Sequence, residues 1–136
     1  MSQQLQLPKC MELSNDIDVA YTALEARNIA KEIGFSTADQ YMISTATSEL
    51  GNNIIKYAVH GIISINIVEE RTSIGIEIVA KDSGPGIQDL EAAMKDKFST
   101  GGTLGLGLSG TKRLMDSFQI DSSSTKGTRV VVEKWI

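Results

Sequence analysis

Two runs of alternating isoleucines constrain the fold of this chain more than any other feature. Ile63, Ile65 and Ile67 form the first, Ile74, Ile76 and Ile78 the second, with Glu70 to Ser73 turning between them. Period-two alternation puts each set on one face of a strand, and the short polar connection joins the strands as a hairpin. A hairpin with one apolar face needs a second layer to cover it. Upstream, helical spacing supplies that layer. Asn15-Asp16 offers an N-cap, and Val19, Leu24, Ala26, Ile29, Ala30 and Ile33 recur until Gly34 stops the turn. Ser36 or Thr37 can cap a second helix from Ala38 to about Ala58, which Gly61 ends. Cys10 to Ser14 reads as a short first strand, and a third helix carries Leu108, Leu114 and Met115. Strands over Phe118 to Ser122 and Thr128 to Trp135, joined by a turn at Lys126-Gly127, close the chain. The order β-α-α-β-β-loop-α-β-β predicts an α/β two-layer sandwich, a mixed and mainly antiparallel sheet covered on one face by helices.

At 136 residues, with no repeat or linker to divide it, the chain is expected to be a single domain, 1–136. Its net charge of −4 argues against a nucleic-acid reader, which would carry a basic surplus. A lone cysteine, Cys10, can form neither an internal disulfide nor a thiolate zinc site. The polar start has no secretory pattern, and no apolar run approaches the about 18 residues of a membrane span. A cytoplasmic protein with no membrane partner is the expectation.

Three stretches carry chemistry. On the second helix, Ile43, Ala46, Leu50, Ile54 and Tyr57 make an apolar stripe, and Glu49, Asn52, Asn53, Lys56 and His60 make a polar one beside it. A polar stripe is ordinarily a solvated face, but this one borders the core face, with Asn53 at the edge. Four apart, Glu49 and Asn53 can bring a carboxylate and an amide oxygen to one site. The amide oxygen suits a hard cation such as Mg²⁺, and the carboxylate can accept a proton from an attacking hydroxyl. In the second stretch, Asp82 shares the strand parity of Ile74, Ile76, Ile78 and Ala80, so the apolar face ends in a carboxylate. Buried, it needs a donor, and the exocyclic amine of a purine is one; a plain turn cap in Asp82-Ser83-Gly84-Pro85-Gly86 is the alternative. Gly84 and Gly86 leave room there for a flat ring. The third stretch, Gly101 to Gly110, is a glycine-rich loop feeding a helix, the makings of a phosphate cradle. Gly105, Gly107 and Gly110 satisfy G-x-G-x-x-G, but no strand immediately precedes them, which excludes the dinucleotide fold. The P-loop pattern is absent, as are the motifs of eukaryotic-type kinases.

In this order the three stretches resemble the GHKL ATPase superfamily of gyrase, Hsp90, histidine kinase and MutL ATP-binding domains. Glu49 through Asn53 looks like its N-box, Asp82-Ser83-Gly84-Pro85-Gly86 its first glycine box, Gly105-Leu106-Gly107 its second, and Gly127-Thr128 its terminal Gly-Thr element. From about Asp16 to Trp135 the chain is similar, within that superfamily, to the serine-protein kinases that switch the bacterial stressosome. Phe98 through Leu108 and Lys112-Arg113-Leu114-Met115-Asp116 are the most specific part of the match. The resemblance implies a serine/threonine kinase using ATP and Mg²⁺. By it, Asp82 accepts from the adenine amine with Thr128 on the same ring, Asn53 holds Mg²⁺, and Glu49 is the base toward the protein hydroxyl. Gly105 and Gly107, with the amides of Leu106 and Leu108, cradle phosphates under a short lid from Phe98 to Thr103. The partners it implies are STAS-domain stressosome proteins and, after release, a downstream regulatory phosphatase or other output protein. An anti-sigma-factor kinase and an ATP-gated binding module without catalysis are the alternatives. No lid arginine is visible, and the sequence does not choose among Lys56, Lys97, Lys112 and a group on the partner to replace it.

Overall fold

The computed structural model describes residues 7–84, 107–123 and 127–136. Strand β1 (Lys9–Leu13) leads into helices α1 (Asp16–Ile33) and α2 (Thr37–Ala58). The hairpin β2 (Gly61–Glu70) and β3 (Ser73–Lys81) follows, then helix α3 (Gly107–Leu114) and the hairpin β4 (Ser117–Ser123) and β5 (Gly127–Trp135). Both long helices start at the expected caps. The Asn15 side chain accepts from the Asp18 N–H at 2.9 Å and the Ser36 hydroxyl from the Asp39 N–H at 3.2 Å, caps of about 1 kcal/mol each.

The five strands run in the order β1-β2-β3-β5-β4. Every pairing among them is antiparallel, so the described sheet has no parallel pair where a mixed one was expected. The second hairpin enters with β5 innermost and β4 at the edge, which keeps β3 and β5 antiparallel. One face carries Ile63, Ile65, Ile76, Ile78, Ala80, Val130 and Val132, all buried beneath the helices with Leu13, Ile43, Leu50 and Ile54. Each large aliphatic side chain so buried contributes about 1.5–3 kcal/mol.

Several local expectations differ from what forms. Leu24 is 48% exposed, because it lies five residues from Val19 and so on the far side of α1, while Thr22 and Ala23 turn inward. Helix α2 ends at Ala58 as expected, but Val59 rather than Gly61 closes it, at φ 73°, a positive value rare for a β-branched residue. Gly61 instead opens β2, and Met115 lies just past the end of α3.

On the uncovered face, Glu77 and Glu133 stand directly opposite one another. Partial burial pushes the Glu77 carboxyl above its ordinary value, the hydrogen bond and charge of Glu133 push the same way, and Arg129 opposes them. The folded chain therefore holds this proton more tightly than the unfolded chain. Stability is full below the ordinary carboxylate range and falls as pH rises through the raised value. Glu77→Gln is accordingly expected to raise the melting temperature at pH 7 and to leave it unchanged at about pH 3, below the ordinary glutamate value, where both states are protonated. An equal shift at both pH values would contradict this.

Candidate functional site

Asp82 continues the core-facing row of β3 and is 8% exposed. Its Oδ1 accepts from the N–H of Gly84 at 2.9 Å and of Thr128 at 3.3 Å, and its own N–H donates to the Thr128 carbonyl at 3.0 Å. Asp82 and the start of β5 thus hold one another through backbone and side chain. Because both bonds fall on Oδ1, Oδ2 keeps its acceptor capacity. Gly127, at φ 82°, lies so close that a Cβ there would stand 2.8 Å from the Asp82 carbonyl carbon. Gly84 is equally confined. A Cβ there would stand 2.8 Å from Ala58 Cα, so the space expected beside it for a flat ring is already filled by the end of α2. The Thr128 hydroxyl is 2.8 Å from the Ser122 hydroxyl on β4, a support with no signal in the local sequence.

A cavity opens against this corner. Leu50, Ile54, Tyr57, Ala80, Leu108 and Val130 make its apolar walls, and Asn53, Asp82 and Thr128 its polar groups. Apolar walls with a few convergent polar groups are the usual makeup of a small-molecule site. Asn53 supplies the sharpest feature: its Nδ2 is buried and, among the described residues, has no hydrogen-bond partner. An amide left in that state costs about 1–3 kcal/mol, which a ligand oxygen would relieve.

Glu49 sits one turn before Asn53 on α2. It does not line the cavity, but its Oε2 accepts from the Gly107 N–H at 3.2 Å, at the first residue of α3. A carboxylate at a helix N-terminus is favoured by the helix dipole. This contact spans 58 residues and joins the first and third stretches. Of the ten residues picked out from the sequence, Asn53, Asp82, Leu108 and Thr128 share the cavity, Glu49 and Gly107 meet at its α3 wall, and Gly84 packs behind it. Gly86, Gly105 and Leu106 lie outside the described residues, as do Lys97 and the stretch Phe98 to Thr103. Among the candidate cations, the Lys56 ammonium stands 5.3 Å from the ring centre of Tyr57, a cavity wall. Lys112 is in the last turn of α3, away from the Gly107 end.

The chain as a whole is similar to known proteins. A family model described as "Histidine kinase-like ATPase domain" matches residues 14–134. The chain is 46% identical over 127 residues to serine/threonine-protein kinase RsbT of Bacillus subtilis (strain 168), covering 93% of this chain and 96% of that one. It is 35% identical over 100 residues to the anti-sigma F factor of Thermoanaerobacter sp. (strain X514), covering 69% and 68% respectively. Among solved structures, the mycobacterial sensor histidine kinase MprB matches with a TM-score of 0.54 at 16% identity, over 95% of this chain and 97% of that one. At that identity the likeness speaks to the fold alone.

Proposed function

The chain belongs to the histidine kinase-like ATPase family and, within it, to the serine/threonine-protein kinases related to RsbT, and from that premise we propose that it phosphorylates STAS-domain stressosome proteins with ATP. Once released, it binds and activates a downstream regulatory phosphatase or other output protein. It works in the cytoplasm, in keeping with the lack of any helix among the described residues long and apolar enough to cross a membrane.

One observation carries the chemistry: Asn53, whose Nδ2 has no partner among the described residues, and the Asp82 carboxylate line one apolar cavity, with Glu49 at its α3 wall. In this account the cavity takes the adenine, whose exocyclic amine donates to Asp82, while Thr128 meets the same ring. Gly107 and Leu108 at the start of α3, with Gly105 and Leu106 just before them in the sequence, receive the phosphates. The protein hydroxyl attacks the γ-phosphorus, the bond to the β-phosphate oxygen breaks, and ADP leaves. Glu49 takes the hydroxyl proton. Its bond to the Gly107 N–H directs the carboxylate toward the phosphate end, so the chain contributes mainly position and charge.

Magnesium fits this donor set. Among the described residues there is no group of three or more His, Cys, Asp or Glu that could hold a metal. Mg²⁺ characteristically takes one or two protein oxygens and draws the rest from phosphates and water. Asn53 would hold it through its amide oxygen, and the ion would there supply positive charge to neutralise the phosphates.

Titration with ATP tests the base assignment. Asp82→Asn replaces an acceptor with a mixed group and is expected to weaken ATP by about 1–3 kcal/mol, roughly 5- to 150-fold. Unchanged affinity would remove adenine from this corner. The kinship to anti-sigma F factors favours a second reading, a kinase that also holds a sigma factor; stable stoichiometric capture of a sigma factor in a pull-down would select it. A third, the ATP-gated binding module without catalysis, gives Glu49 no chemical task.

A further inference from the structure

Lys134 is a charged side chain in the wrong place for a solvated one. Thr128, Val130, Val132 and Lys134 alternate along the helix-facing side of β5, and Lys134 is 9% exposed. Its Nζ donates to the carbonyl of Leu114, the last residue of α3, at 2.8 Å. The Asp116 carboxylate, half exposed, stands 4.0 Å away. Burying an ammonium costs several kcal/mol unless its partners repay it, and a Met or Leu would pack the same space without that cost.

What the ammonium does is hold one end of a short helix. With eight residues, α3 is too short to persist by its own hydrogen bonds. Its final carbonyls have no partner within the helix, and its C-terminus is the negative end of the dipole, so a cation satisfies both needs. The chain just beyond is fixed to the same strand. The Asp116 N–H donates to the Glu133 carbonyl at 2.8 Å, and Asp116 Oδ2 accepts from the Trp135 N–H at 2.7 Å. At the other end of α3, Gly107 donates to Glu49 and Leu108 lines the cavity. Strand β5 therefore serves the cavity twice: through Thr128 at the base corner and, six residues and about 20 Å on, through Lys134 under the helix.

We infer that Lys134 is a positioning residue that sets how far the N-terminus of α3 reaches toward the phosphates of the bound nucleotide. It touches no substrate. This rests on the kinase reading, in which the start of α3 receives phosphate, and goes beyond it by separating control of the phosphate end from the adenine corner.

The test compares ATP and adenosine affinities in the full-length chain carrying Lys134→Met. ATP is expected to bind about tenfold more weakly, because the Leu114 carbonyl loses a charged partner, while adenosine stays within about twofold. Lys134→Arg keeps both cation and donor and is expected to restore ATP binding to within about threefold. Unchanged ATP affinity in Lys134→Met overturns the inference. So does an equal loss of ATP and adenosine, which is what a merely structural role would give. Should Lys134→Met fail to fold, Lys134→Gln, which keeps a donor without the charge, takes its place: a selective loss of ATP supports the inference, and unchanged ATP affinity or equal losses of ATP and adenosine overturn it. A wild-type chain that binds ATP no better than adenosine would overturn both this inference and the kinase reading, and the wild-type titration alone identifies that case.

Discussion

Gly127→Ala is expected to cost about 3 kcal/mol of folding stability and to lower the melting temperature by about 10 °C. Two effects add. At φ 82° an alanine is held in a conformation that L side chains rarely adopt. Its methyl would also be driven into the carbonyl of Asp82 and would stand 2.9 Å from Ser83 Cα, against backbone that cannot rotate away as a flexible side chain could. Relief requires β5 and the Asp82 turn to separate, and that breaks the exchange in which Thr128 N–H donates to Asp82 Oδ1 and Asp82 N–H to the Thr128 carbonyl. The same displacement moves two of the three polar groups of the cavity, so ATP affinity is expected to fall by roughly tenfold or more in whatever fraction stays folded. Thermal unfolding and ATP titration on one preparation check both effects. A variant as stable as the wild type would show that the Gly127–Asp82 approach is looser than described.

Glu49→Gln is expected to slow phosphoryl transfer roughly 10²–10⁴-fold while leaving ATP affinity within about twofold. The expected split follows from geometry. Glutamine keeps an oxygen that can accept from Gly107, so the helix start stays capped, and Glu49 is not among the groups lining the cavity. What the substitution removes is the capacity to take a proton. Single-turnover transfer measured beside ATP binding separates the two, and a parallel loss of both would assign Glu49 to nucleotide binding instead.

Much of the molecule was legible in the sequence because its signals are local. The isoleucine alternation placed β2 and β3, the Asn15 and Ser36 caps placed both long helices, and the parity of Ile74 through Asp82 put a carboxylate at the end of the core face. What stayed hidden depends on contacts between distant residues. Glu49 and Gly107 are 58 apart, and nothing in either neighbourhood announces the other. Gly84 carries an ordinary turn signal, whereas its close approach is to Ala58 on another element. Lys134 continues the inward alternation of Thr128, Val130 and Val132, but no pattern in the sequence singles it out; only the foot of α3 explains why a charge is there. Leu24 fits a loose helical spacing, but its angle of about 140° from Val19 around α1 turns it outward. Gly86, Gly105 and Leu106, expected at the phosphate end, lie outside the described residues and keep the standing of sequence expectations.

The most direct test of the central claim is transfer of labelled γ-phosphate from ATP to STAS-domain proteins of the same cell, with Glu49→Gln run in parallel. Label is expected on a serine or threonine of a STAS protein, abolished or slowed at least about a hundredfold by Glu49→Gln. ATP binding without any transfer would contradict it and make the chain a nucleotide-gated binding protein on the same fold.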